Sequence, residues 1–168
     1  MQRFVLVLAL VSVLCLSVTA QPKKSINLQA KFHGLVHIEG DLTTDPAVDI
    51  VAIGPGEAAN LGSLTTTELR WTVRRDVVLG LLAGTLREAP LNRGTFSAET
   101  SDGDRFRGTF TGVVLREGRF RFGIDGDFTI LEGTGDLAGV TGDGSFRGTL
   151  DLRTQEYEGT LHGQMTLP

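Results

Sequence analysis

Three histidines, His33, His37 and His162, and one cysteine, Cys15, are the chain's soft metal-ligating side chains. On an extended strand His33 and His37 stand roughly 13 Å apart, too far to share one ion, so the three read as solvated surface residues. Asp102, Asp104, Asp125, Asp127, Asp136 and Asp143 gather near turns, where converging carboxylates could hold calcium. None follows the spacing of a calcium loop, and Asp-Gly pairs serve turns equally well. Gly133, Gly135 and Gly139 match a G-x-G-x-x-x-G run, the kind of backbone that cradles a pyrophosphate. The sequel, Thr141-Gly142-Asp143-Gly144, leads into a strand, and without a helix there are no aligned amides to receive a phosphate. No metal set, cofactor loop or nucleophile–base pair is expected, and no catalytic residue is assigned.

Two other groups could act together. Arg105, Arg107, Arg119 and Arg121 fall on the polar faces of successive strands, with Glu117, Asp125 and Asp127 near enough in sequence to neutralise them. That pattern predicts a solvated cross-strand charge ladder rather than an anion site. The aromatic residues carry the one candidate binding site: Trp71, Phe106, Phe110, Phe120, Phe122, Phe128 and Phe146 share an inner face by parity. They either fill a core or line a hollow that accepts a small apolar molecule.

The elements that must position these residues are strands. Ile26, Leu28, Ala30 and Phe32 alternate with polar neighbours, as do Phe120, Phe122, Ile124, Gly126, Phe128 and Ile130, and then Tyr157, Gly159, Leu161, Gly163, Met165 and Leu167. Period two predicts half-buried strands, and no stretch shows the period of a helix. Short turn signals at 101–104, 116–119 and 153–156 make sequence neighbours hairpin partners. The expectation is an all-β fold, a single antiparallel, mostly up-and-down β-barrel of about eight strands, with a two-sheet β-sandwich as the alternative. Phe106 and Phe110 share one parity while Val113 and Leu115 continue in the other, which predicts a bulge at Gly112. Phe106-Arg107-Gly108-Thr109 recurs as Phe146-Arg147-Gly148-Thr149, equivalent strands that alternate an inward ring with an inward glycine. Rings from facing strands would then fill the space above the glycines.

The first twenty residues, with Arg3, an apolar run from Phe4 to Leu16 and Val18-Thr19-Ala20, follow the plan of a secretory signal peptide cut after Ala20. The run is shorter than a bilayer span, so no membrane span is expected after cleavage, and the protein would be secreted or periplasmic. Residues 21–168 would form one domain without a thiol, since Cys15 departs with the leader. Removing Arg3 leaves fifteen basic against twenty acidic side chains, a formal charge of −5, which argues mildly against nucleic acid or an anionic membrane surface as the partner.

Gly133-Thr134-Gly135-Asp136-Leu137-Ala138-Gly139-Val140-Thr141-Gly142 resembles the GTG-x-[FL]-AG-[AV]-x-G signature of allene oxide cyclase-like β-barrels, and closest a group of small secreted bacterial domains that share it. Gly56-Glu57-Ala58-Ala59-Asn60-Leu61-Gly62 and Ser101-Asp102-Gly103-Asp104 are similar to two further motifs of that group. The chain departs from it at Asn60, where histidine is common, and at Leu137, where phenylalanine is. The resemblance implies the barrel, with the glycine run as a corner between two strands; it implies no cyclase activity, because no catalytic group of the cyclases is matched. The functional expectation is a secreted, non-enzymatic barrel that binds a small apolar ligand or none. The alternatives are a cyclase or isomerase acting by confinement, and an outer-membrane barrel, against which the lack of aromatic girdles speaks.

Overall fold

A computed structural model describes residues 23–167; the expected leader and Cys15 lie outside the described residues. The eight strands are β1 (Lys24–Glu39), β2 (Ala47–Ala59), β3 (Gly62–Arg74), β4 (Glu88–Thr100), β5 (Arg105–Arg116), β6 (Arg121–Gly133), β7 (Thr141–Asp151) and β8 (Glu156–Leu167). Each pairs antiparallel with the next, and β1 closes on β8 along twelve residue pairs from Lys24–Leu167 to Leu35–Glu156. The fold is therefore a closed up-and-down barrel and not a sandwich. Closure removes every open edge that such strands would present to a neighbour.

Period two explains the interior. Leu28, Phe32, Phe96, Phe106, Phe110, Phe128, Phe146 and Met165 point inward and are buried. The rings meet at angles, with Phe110 and Phe146 centroids 5.0 Å apart and Phe96 and Phe128 5.8 Å apart, as aromatic quadrupoles prefer. The Phe–Gly alternation works as expected with one correction: four of the rings lie over the glycine directly across on the adjacent strand. Phe110 covers Gly94, Phe96 covers Gly108, Phe146 covers Gly126 and Phe32 covers Gly159. A Cβ on Gly94 would sit 2.3 Å from Phe110 Cζ. Neighbouring rings do this because side chains opposite one another across a ladder are closer than any pair spanning the barrel.

Three expectations need correction. The ladder between β5 and β6 runs through Gly112 unbroken, and Val113 and Leu115 are 38% and 37% exposed on the outer face. The parity change lies instead in β4, where Asn92 and Arg93 bulge between Leu91 and Gly94. Phe120 is outside the barrel: it lies in the β5–β6 turn, 37% exposed, with the Arg119 guanidinium 5.2 Å over its ring. The parity of β6 stops at Arg121, because the turn leaves the sheet there. Finally, β3 and β4 are joined by a helix, α1 (Arg75–Ala83), which period two gave no reason to expect.

The two ends are stoppered. At one end α1 lies across the mouth with Val78 and Leu81 buried, and it ends at Gly84, whose φ of 79° makes the left-handed cap. At the other, the run Gly133–Gly142 folds as the corner its motif implied, through a short 3-10 turn, η1 (Gly135–Leu137). Leu137 and Val140 plug the core there, and Thr134 exchanges bonds with Arg105: its N–H donates to the Arg105 carbonyl at 2.8 Å, while Arg105 N–H donates to Thr134 Oγ1 at 3.0 Å.

Candidate functional site

The strand ends Ile50, Trp71, Phe122 and Leu150, from β2, β3, β6 and β7, converge beneath Val78 and Leu81 of α1. They enclose an apolar cleft of about 40 Å³, and none of its lining residues is ionisable. Trp71 and Phe122, both predicted site residues, therefore line one cleft. Phe106, Phe110, Phe128 and Phe146 lie deeper, around a second void of about 20 Å³. Phe120 contributes to neither. Voids of this size hold about one water each, so the rings serve mainly as core.

The helix over the cleft is held by few polar ties. The chain passes from β3 into α1 without a loop, and Arg75 N–H donates to the Pro46 carbonyl at 2.9 Å. Across the mouth, Arg116 Nε donates to the Leu81 carbonyl at 2.8 Å. That cation meets the negative end of the helix, where the Leu81 carbonyl also accepts from Gly84 N–H at 3.2 Å and the Gly80 carbonyl accepts from Leu86 N–H at 3.0 Å. Arg116 is a residue that sequence reasoning missed; its position at the end of an alternating strand carries no signal of a partner in α1.

The interior holds one polar chain. Tyr157 O–H donates to Thr67 Oγ1 at 3.1 Å, and the Thr67 hydroxyl donates to the Gly54 carbonyl at 2.8 Å. Burial pushes the Tyr157 phenol upward, with the Thr67 bond opposing it. No carboxylate, amine, guanidinium or imidazole is buried among the described residues. A general acid or base facing the interior is thus restricted to a phenol already committed to a threonine.

The outer face carries the charges. Arg105 pairs with Glu99 at 2.7 Å, Arg107 with Glu132, Arg121 with Glu117 at 3.3 Å and Arg147 with Asp125 at 3.0 Å, a ladder of exposed pairs. The fourth predicted ladder member, Arg119, stacks on Phe120 instead. His33, His37 and His162 are exposed, His37 beside Glu39 at 3.2 Å, and no group of three metal-ligating side chains exists among the described residues. A cluster that the sequence did not reveal surrounds Arg70, which reaches Glu39 at 2.6 Å, Asp49 at 3.3 Å and Glu68 at 3.4 Å across β1, β2 and β3. Hydrogen bonding from Arg70, then from His37, holds the Glu39 carboxyl below the usual range.

Comparison with family models, with curated proteins and with solved structures returns no match.

Proposed function

We propose that the protein is a non-enzymatic barrel that binds a small apolar molecule at its helix-capped end, between Trp71, Phe122 and the inner face of α1. One observation carries this reading: the larger of the two interior voids lies at the mouth that α1 caps, and its lining offers contact surface without a single ionisable group. Occupancy requires α1 to move outward, because about 40 Å³ is smaller than any such ligand. Val78 and Leu81 would then give up their places to the guest.

The alternatives receive less support. A confinement cyclase would use the same cleft, yet Tyr157 and Thr67 are bonded to each other beside the smaller void. An outer-membrane barrel needs an apolar outer band, whereas β1, β7 and β8 present Lys31, His33, Arg147, Glu158 and His162 outward. Kinship with allene oxide cyclase-like barrels is supported by the closed eight-stranded topology and by the corner at Gly133–Gly142. The leader-like N-terminus supports export.

Trp71 is the only tryptophan of the chain, so its emission reports the cleft directly. Titration with an environment-sensitive naphthalene dye is expected to quench Trp71 saturably. Leu81→Ala, which enlarges the cleft, should tighten binding, and Ala89→Leu, which fills it, should weaken it. A linear, unsaturable response of the folded protein, or the same affinity in both variants, overturns the reading.

A further inference from the structure

Arg116 stands at the rim of the apolar cleft with only part of its guanidinium engaged. It is the last residue of β5, on the inner parity of Val114, and it pairs across the ladder with Phe122 of β6. Val114, Phe122 and Leu81, whose carbonyl receives its Nε–H, all line the cleft. The side chain is half-buried. A second contact fixes the plane of the group. A Cβ on Gly84 would lie 3.2 Å from Arg116 Cζ and 3.3 and 3.5 Å from its two terminal nitrogens, so the guanidinium lies flat on the backbone that follows α1. The fork is held in place by the protein's own atoms.

Its terminal edge has no such partner. Arg116 Nη1 and Nη2 carry four N–H donors between them, and neither meets an acceptor or an ion-pair partner among the described residues. Carboxylates are plentiful at this end, yet none reaches the fork. Glu117 pairs with Arg121 on the outer face at 3.3 Å, Asp76 pairs with Arg74 at 2.7 Å, and Asp151 accepts from the Arg153 amide of its own turn at 2.8 Å. Glu88 takes the outer parity, opposite Leu115.

Two parallel N–H bonds from a planar fork match an oxyanion that offers two equivalent oxygens. The helix end beside Arg116 carries only about half a negative charge, so the full charge of the guanidinium prevails there. The cleft itself takes apolar matter, since none of its lining residues is ionisable. A guest that satisfies both has an apolar body and one acid group, joined at the rim.

We infer that the guest of the cleft is an amphipathic anion, its apolar body between Trp71, Phe122 and α1 and its single carboxylate or sulfonate on the free edge of Arg116. This gives the chemical class of the ligand and rests on the function proposed above. The residue that ties down the end of α1 is then also the one that reads the head group.

Two dyes with one body test it. Anilinonaphthalene sulfonate and phenylnaphthylamine share a frame and differ by the sulfonate, so the ratio of their dissociation constants isolates the head group. Both are titrated into the full folded chain at fixed ionic strength, with the emission of Trp71, the only tryptophan, as the readout. Arg116→Met should weaken the sulfonate about tenfold relative to the neutral dye. Arg116→Lys, which keeps the charge without the fork, should recover only part of that loss. Any loosening of α1 in these variants admits both dyes alike and cancels in the ratio. Arg119→Met, which removes an exposed guanidinium of the same end, should leave the ratio unchanged, and urea midpoints show that each variant is folded. The head-group assignment is overturned if Arg116→Met shifts both dyes equally, if Arg119→Met lowers the ratio as far, or if the neutral dye saturates and the sulfonate does not bind. Each of these results leaves an apolar ligand in place, whereas failure of both dyes to saturate removes the ligand reading and this inference with it.

Discussion

At the corner end of the barrel the chain stoppers the core with its own backbone, whereas at the helix end it lays a separate segment across the mouth. Leu137 and Val140 are held by a 3-10 turn that opens on Gly135 at φ 59°, by Gly139 after it at φ 80°, and by two bonds between Thr134 and Arg105. Val78 and Leu81 are also buried, but the helix that carries them is tied to its surroundings by a few bonds at its two ends, Arg75 to the Pro46 and Thr43 carbonyls and Arg116 to the Leu81 carbonyl, and its far side faces outward. Burial therefore does not mean equal permanence. A plug fixed by backbone conformation can leave only by unfolding, while one fixed by side chains can swing away as a unit.

The strongest way to break that comparison is to remove one leucine from each plug. Leu137→Ala is expected to cost about 3–4 kcal/mol in urea unfolding, because the rigid corner cannot collapse into the cavity, and Leu81→Ala about 2 kcal/mol, because α1 can settle. Equal losses would mean that the two plugs are equally fixed. Next comes Arg116→Met, which keeps the aliphatic stem but removes the charged donor to the Leu81 carbonyl. About 1 kcal/mol of global stability should go, with a much larger gain in amide exchange confined to α1, and exchange that rises evenly around the barrel would contradict a separately moving helix.

A smaller effect is expected between the two ends, at Tyr157. Its phenol is raised in the folded protein, so stability is fully present below the ordinary phenol value near pH 10 and declines as pH rises through it, when the unfolded chain ionises first. Tyr157→Phe should flatten the alkaline limb of stability against pH. The smallest effect belongs to Glu39, which is exposed on the outer face. Its lowered carboxyl adds stability above the usual carboxylate range that fades as pH falls through the folded value. Glu39→Gln should alter the acid limb barely and leave both plugs untouched.

Much of the barrel was legible because each strand repeats period two, and a sheet with short turns and no polar-free edge has few ways to fold other than closure. What failed, failed where locality ends. Val113 and Leu115 looked like inward residues because they are apolar, yet the outer face accepts them; the doublet Asn92-Arg93, polar twice in succession, was the available sign of the true bulge. Phe120 was assigned inward by extending strand parity into a turn. The helix escaped notice since VVLGLLA is apolar at every position and so has no helical period to detect, although Asp76 in its first turn and Gly84 after its last are ordinary boundary signals. The cleft could not be read at all: Ile50, Trp71, Phe122 and Leu150 become neighbours only when the cylinder closes.

The twelve-pair seam between β1 and β8 sets the timing of the molecule's birth. The first strand to leave the ribosome needs the last one as its partner, so six intervening strands must be made before the cylinder can shut. Until then Ala30 and Phe32 stay joined to β2 on one side only, and Leu28 has no strand partner. Contacts spanning nearly the whole chain fold slowly, and a nascent chain with one waiting strand stays exposed to other partners throughout synthesis. For this protein the final turn, and not the first hairpin, is the moment at which it becomes a barrel.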